Sequence, residues 1–283
     1  MRKVRSIIII LIACLALAYS LGAVYGQVVH EGEALPDDDV DEGESVTSEH
    51  SRPLPREVHE EETEEQAWED SPVTNLPGLE ETVAADEDGL LTVTNPDHVL
   101  VLVNKDRNLP ADYVPDDLVI PDVRFPFDED HPKKLMRQDA AEALQQLISQ
   151  AWEESLELYA LSGYRSYETQ RQIFAYNVGQ KGEEAANQFS ARPGQSEHQT
   201  GLAMDVTSPQ VGFALTQSFA DTTEGRWLRE HAREFGFIIR YPEGKEDITG
   251  YQYEPWHLRY VGVEHAVSIC EEELTLEEYL GQR

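Results

Sequence analysis

Cysteine is almost missing from this chain. Cys14 lies inside an N-terminal apolar run, and Cys270 stands alone near the C-terminus. Two thiols so placed provide neither a disulfide framework nor a cysteine zinc cluster. His265 is near Cys270 in sequence, but the stretch around both reads as an ordinary helix, so the thiol is expected to be buried or merely unreactive. Bases are scarce as well: 22 Lys and Arg stand against 55 Asp and Glu, a formal net charge of −33. A polyanion of this kind is a poor partner for nucleic acid or anionic surfaces. Histidine is limited to nine residues, and no internal repeat is visible. Metal or acid–base chemistry must therefore be built from few imidazoles and many carboxylates.

The excess charge is local. Residues 27–90 hold 22 acids and two bases, Arg52 and Arg56. This segment is rich in Glu, Asp, Pro, Ser and Thr and cannot bury enough apolar surface to offset chain entropy. It reads as a disordered linker extended by its own like charges. Before it, Arg2, Lys3 and Arg5 precede an apolar run from Ile7 to Gly26. That is the pattern of a signal peptide or signal anchor over residues 1–26. Val24-Tyr25-Gly26 offers a small-residue cleavage site. Leu11-Ile12-Ala13-Cys14 resembles a lipobox but is followed by more apolar sequence, where a lipoprotein usually turns polar. The N-terminal bases keep the start of the chain in the cytoplasm and send the rest outside. The expected location is the cell envelope, membrane-anchored by the N-terminal segment or secreted if it is cleaved.

Residues 91–283 read as the folded domain. Residues 99–103, Val-Leu-Val-Leu-Val, predict a strand. Leu144, Leu147, Ile148 and Ala151 recur at helical spacing within 135–152. Further strands are expected at 156–161, 203–206, 237–241 and 256–261. Ser166 can cap a helix running to Val178 and closed by Gly179, and a helix over 227–235 is stopped by Gly236. Thr275-Leu276-Glu277-Glu278 has the capping-box pattern of a last helix. Helices and strands mixed without βαβ regularity argue an α+β fold, a small central antiparallel sheet with flanking helices.

Chemical density is concentrated in two runs, Ser196-Glu197-His198-Gln199-Thr200-Gly201-Leu202-Ala203-Met204-Asp205 and Glu254-Pro255-Trp256-His257. Two imidazoles, an aspartate and a further glutamate are a common inventory for a catalytic zinc site: three protein ligands, an open position, and a carboxylate to handle a proton. Imidazole and carboxylate are both deprotonated near neutral pH, as ligation requires. Gly201 permits a turn between His198 and Asp205, so the two side chains can converge. Asp205 lies among apolar neighbours, where an unpartnered carboxylate would be costly and a cation or a hydrogen-bonding ring would offset the cost. Pro255 forbids a normal helix interior, so Glu254 and His257 are read at a loop-to-strand corner, with His257 aimed at a metal and Glu254 at water. His98, His131, His231 and His265 sit in ordinary helical or loop contexts.

Several motifs in order carry a family resemblance. They are Ser162-Gly163-Tyr164-Arg165-Ser166, Ser190-Ala191-Arg192-Pro193-Gly194-Gln195-Ser196-Glu197-His198-Gln199-Thr200-Gly201, Ala203-Met204-Asp205, Arg240-Tyr241-Pro242 and Glu254-Pro255-Trp256-His257. Together they resemble the VanY-type D-alanyl-D-alanine carboxypeptidases, zinc peptidases grouped with lysostaphin-like and Hedgehog-type enzymes. The match spans about residues 103–261, with Leu109-Pro110-Ala111-Asp112-Tyr113-Val114-Pro115 similar to the family's domain entrance. The resemblance implies that His198, Asp205 and His257 hold one Zn²⁺ per domain. Glu254 would be the catalytic base, and Arg165 would sit near the scissile carbonyl or the substrate carboxylate. Gln170, Ser196 and Tyr241 would line the substrate pocket with Arg165. The implied partners are peptidoglycan stem peptides, and the implied reaction is removal of the terminal D-alanine from a D-Ala-D-Ala pentapeptide. An L,D-carboxypeptidase acting on tetrapeptides uses the same motifs, because such selectivity rests on pocket shape. A wall-binding module with structural zinc is the non-enzymatic alternative, though a structural site is usually closed by a fourth protein ligand.

Overall fold

The computed structural model describes residues 78–282, residue 88 excepted. The expected signal segment, and the expected linker up to residue 77, lie outside the described residues. The linker's expected end at residue 90 is too late. A 3-10 turn at Leu79–Thr82 leads into strand β1 (Val83–Ala85), which pairs antiparallel with β2 (Leu91–Val93). Arg107 donates to the Leu79 carbonyl at 3.0 Å and to the Thr82 hydroxyl at 2.6 Å. A buried arginine thus ties this acidic stretch to the domain, which composition alone does not reveal.

A second antiparallel pair joins β3 (Leu118–Val119) to β4 (Met136–Arg137). The central sheet contains β5 (Tyr159–Ser162), β6 (Ala203–Thr207), β7 (Phe237–Ile239) and β8 (His257–Tyr260). Its order is β5-β6-β8-β7 and every pairing is antiparallel. The architecture is the expected α+β, a small antiparallel sheet with flanking helices.

Helix α1 (Gln138–Glu153) buries Leu144, Leu147, Ile148 and Ala151, the residues at helical spacing. They share one core with the sheet residues Ala160, Met204, Val206, Phe237 and Leu258. Helix α2 (Tyr167–Lys181) begins where Ser166 accepts from the Thr169 amide. It runs through Gly179 and ends at Gly182, whose φ of +82° suits glycine. The expected stop at Gly179 is therefore one glycine too early; glycine is tolerated inside a helix at modest cost. Helix α3 (Glu183–Phe189) follows directly. Helix α4 (Thr223–His231) passes into a 3-10 turn at Ala232–Phe235, and Gly236 stops it. Beyond a short α5 (Glu246–Thr249) come α6 (Val263–Glu271) and α7 (Leu276–Tyr279). Thr275 and Glu278 form the expected capping box at the start of α7. Among the described residues no helix is long and apolar enough to cross a membrane.

The strand expected at 99–103 does not form. The run starts in a turn, with the Val101 amide donating to the His98 carbonyl at 2.9 Å, and is buried from Leu100 on, but its alternating side chains serve two cores. Val101 and Val103 join the main core, while Leu100 and Leu102 pack with Ile269 and Leu276 of α6 and α7. Its carbonyls have side-chain partners. Arg259 Nη2 donates to the oxygens of Val99 and Val101, and Arg107 Nε to that of Leu102. Arginine replaces a neighbouring strand, so the apolar pattern persists without a sheet.

Candidate active site

Strand register brings two of the candidate ligands together. Asp205 of β6 lies directly opposite His257 of β8 and, on its other side, opposite Ser162 of β5. Directly opposed residues share a face of the sheet, and His257 Nδ1 approaches Asp205 Oδ1 at 3.0 Å. His198 arrives from a different element, a 3-10 turn at Glu197–Thr200 closed by Gly201 at φ +70°. A β-carbon at Gly201 would lie 2.9 Å from both Arg137 Cγ and Leu118 Cδ2, so the turn needs glycine for space as well as for φ.

The imidazole of His198 is oriented by the turn after β5. Its Nδ1–H donates to the Gly163 carbonyl at 2.8 Å. That leaves the Nε2 lone pair facing Asp205 Oδ2 at 3.4 Å. Gly163 can deliver its carbonyl there only because it lacks a side chain. A β-carbon would collide with the Leu135 carbonyl oxygen and lie 2.8 Å from Met204 Cε. Gly163→Ala should destabilise the domain by roughly 1–3 kcal/mol, the usual cost of overpacking. It should also weaken metal binding as the carbonyl shifts. Urea unfolding and chelator competition measure the two effects, and an unshifted unfolding midpoint would contradict this packing argument.

The donor atoms of His198, Asp205 and His257 all lie within 4.8 Å of one another, and all three residues are buried. Ligands at about 2.0–2.1 Å in a tetrahedral zinc site stand about 3.3 Å apart. The two separations of 3.0 and 3.4 Å bracket that spacing. Two nitrogens and one carboxylate oxygen, converging in a buried pocket, suit a borderline-soft divalent metal such as zinc. The structure therefore points to a metal site here.

Electrostatics sharpen the picture. Burial pushes His198 down to about 3, with Arg165 and His257 reinforcing burial and Asp205 opposing it, so its ring is neutral. Burial also disfavours the charged form of His257. Its contacts with Asp205 and Glu197 outweigh that and raise it to about 9. Asp205 stays ionised: burial alone would raise it, but His198, His257 and Arg165 hold it below the usual range.

Glu254 occupies the loop before β8, with its amide donating to the Tyr241 carbonyl at 3.0 Å. Its carboxylate lies 3.9 Å from His257 Nδ1 and is 13 % exposed, so it reaches the cavity without joining the three donors. Desolvation raises it to about 7, with Asp205 adding to the rise while His257 and Arg165 oppose it. Arg165 extends from the turn after β5. It donates to Gln170 Oε1 at 2.9 Å and to Ser162 Oγ at 3.3 Å. Gln170 in turn donates to the Ala191 carbonyl at 2.6 Å, so both ends of its amide are engaged in holding Arg165. Ser196 is buried at the cavity wall, and Tyr241 lies against His257 with ring centroids 5.0 Å apart. All eight expected site residues line one cavity of about 420 Å³, which extends along α2 past Asn177 and Lys181.

Sequence reasoning missed a buried charge cluster behind the site. Glu197 Oε1 accepts from Arg240 Nε at 2.7 Å and Arg259 Nη1 at 2.5 Å. Burial would raise Glu197, but the two guanidinium groups hold it well below the usual carboxylate range. The signal was present. Ile238-Ile239-Arg240 and Leu258-Arg259-Tyr260 place arginines in apolar strand sequence, where each needs a buried carboxylate. Tyr251 and Trp256 also line the cavity.

A family model described as VanY, D-alanyl-D-alanine carboxypeptidase, matches residues 133–263. The Bacillus subtilis protein YodJ is 54 % identical over 192 residues, covering 68 % of this chain and 70 % of YodJ. The structure of the LdcB LD-carboxypeptidase, which revealed the molecular basis of that enzyme's peptidoglycan recognition, superposes with a TM-score of 0.69 at 50 % identity. It covers 73 % of this chain and 97 % of that one. A point mutant of the vancomycin resistance D,D-pentapeptidase VanY from a VanB-type resistance cassette, in complex with Zn(II), gives a TM-score of 0.53 at 35 % identity. The match covers 65 % of this chain and 99 % of that one.

Proposed function

This chain belongs to the VanY family of D-alanyl-D-alanine carboxypeptidases, and from that premise we propose that it is a zinc carboxypeptidase trimming peptidoglycan stem peptides. The reaction is hydrolytic release of the C-terminal D-alanine, with the pentapeptide ending in D-Ala-D-Ala as substrate. One observation carries this reading: three converging metal donors, a carboxylate of raised proton affinity and an arginine all face one cavity.

His198 Nε2, an oxygen of Asp205 and His257 Nδ1 would hold one Zn²⁺. Bound there, zinc would polarise the scissile carbonyl and make water acidic near neutral pH. Glu254 takes the proton from the attacking water and passes it to the departing amine. The Arg165 fork, held by Gln170 and Ser162, presents positive charge to the terminal carboxylate or to the oxyanion that develops at the carbonyl. Ser196 and Tyr241 shape the wall against which the terminal residue lies. Arg165→Lys keeps the charge but loses the fork, so kcat/KM should fall roughly 10- to 100-fold, the worth of a charge-assisted hydrogen bond. Steady-state kinetics check this, and an unchanged kcat/KM would remove Arg165 from the site.

A second reading, an L,D-carboxypeptidase acting on tetrapeptide stems, is favoured by the 50 % identity to the LdcB structure. Release of D-alanine from muramyl pentapeptide and tetrapeptide, measured side by side with zinc-loaded protein, separates the two. No release from either peptide would sink both readings. Wall binding that survives metal removal, without hydrolysis in either state, would favour a structural module instead. Such substrates place the domain outside the cytoplasm, with residues 1–26 as export signal or anchor and the acidic segment after them as tether. The mass of the mature N-terminus tests cleavage.

A further inference from the structure

Two polar atoms behind the site lack hydrogen-bond partners although both are buried: Glu197 Oε2 and His257 Nε2. They face each other at 3.6 Å. A movement of a few tenths of an ångström would satisfy both, since hydrogen bonds of this kind close at about 2.7–3.2 Å. Glu197 cannot turn away. Its other oxygen is fixed by Arg240 and Arg259. Arg259 is set by the sheet, two residues after His257 on β8 and opposite Ala203. Arg240 is held from behind by α7, where Glu277 accepts from Nη1 at 2.8 Å and from Nη2 at 2.6 Å. All four charged side chains are essentially inaccessible to solvent.

We propose that Glu197 is a positioning residue for His257, and that Glu277 on the C-terminal helix sets it through Arg240. The inference rests on the reading of His257 as a metal ligand. An acceptor at Glu197 Oε2 takes the Nε2–H, which leaves the Nδ1 lone pair directed at the metal beside Asp205. Outer partners of this kind fix a ligand's tautomer and orientation. The geometry also gives α7 a function. It lies beyond residue 263, where the family match ends, and it closes a chain of contacts that reaches a metal ligand.

Glu197→Gln is close to isosteric. Its amide can place its oxygen toward the arginines, which turns an N–H donor toward His257 Nε2. That favours the tautomer with hydrogen on Nδ1, where the metal should be. The experiment uses the full chain and reads zinc affinity by chelator competition, the Co²⁺ absorption spectrum, and the urea midpoint of the zinc-free protein. Glu197→Gln should lose about 10- to 100-fold in zinc affinity, the usual cost of removing an outer partner of a ligand, and its Co²⁺ spectrum should change. Glu277→Gln should lose affinity in the same direction, and the double variant should lose less than the product of the two. A merely structural role would lower the urea midpoint and leave affinity and spectrum alone. That outcome in a folded Glu197→Gln overturns the proposal. Should Glu197→Gln not fold, Glu277→Gln decides: wild-type zinc affinity in that variant overturns the relay. Failure of the wild-type chain to bind zinc would instead overturn the metal reading itself.

Discussion

Glu254→Ala is expected to lower kcat by about 10²–10⁴-fold, the usual contribution of a positioned acid–base group, while zinc binding stays near wild type. The reason is the division of labour within four residues. Pro255 breaks helical geometry, so Glu254 and His257 leave the corner in different directions. His257 enters β8 and faces Asp205 across the sheet. Glu254 stays on the loop, fixed by its amide to the Tyr241 carbonyl and partly open to the cavity. Desolvation brings its proton affinity to about 7, so it can both take and return a proton near neutral pH. A divalent cation beside it would lower that value, which places the acidic limb of kcat/KM below 7 in the loaded enzyme. Glu254→Gln should be as inactive as alanine, because the amide cannot accept a proton. D-alanine release and chelator competition on the same samples test this. Full activity in either variant would remove Glu254 from the chemistry, and parallel loss of zinc would make it a ligand instead.

The site was more legible in the sequence than the fold around it. His198, Asp205 and His257 stood out because imidazoles are few and an aspartate flanked by apolar residues needs a partner. Their convergence came from strand register and a glycine-closed turn, both of which leave local marks. Glu197 did not stand out. Its partners Arg240 and Arg259 come from two other strands' ends, and Glu277 from the last helix, so no single window shows the cluster. Arg259, together with Arg107, also accounts for the failed strand at 99–103. Alternation of apolar residues reports burial, whereas a strand also needs a backbone partner, and here Arg259 and Arg107 supply the hydrogen bonds instead. The early edge of the domain was hidden for a related reason. Acidic composition argued for an unpacked chain, while Arg107 buries the Thr82 hydroxyl and secures the first hairpin. Long-range arginine contacts are the common cause, and they leave no period in the sequence.

The carboxylates around His257 set a pH window that separates metal binding from folding. His257 lies between Asp205 Oδ1 at 3.0 Å and Glu197 Oε2 at 3.6 Å. Burial opposes its charge, yet the two carboxylates raise it to about 9 in the metal-free protein. Zinc needs the Nδ1 lone pair, so binding must expel that proton. Between pH 7 and 9 zinc affinity should therefore rise about tenfold per pH unit, with about one proton released on binding. The stability of the zinc-free chain should move in the opposite direction. A histidine raised above its unfolded value stabilises the fold fully below about 6.5, and this contribution is lost as pH rises through 9. The loss is of the order of 3 kcal/mol across that interval. Neighbouring groups do not confuse the window. Glu254, raised to about 7, has lost its contribution by then, and His198, lowered to about 3, adds a cost only below its unfolded value. Calorimetry in buffers of different ionisation enthalpy counts the protons, and urea midpoints of zinc-free protein at pH 7 and pH 9 follow the stability. A flat zinc affinity with no proton released would mean that His257 is already neutral, and that Asp205 and Glu197 do not grip its ring as the strand register places them.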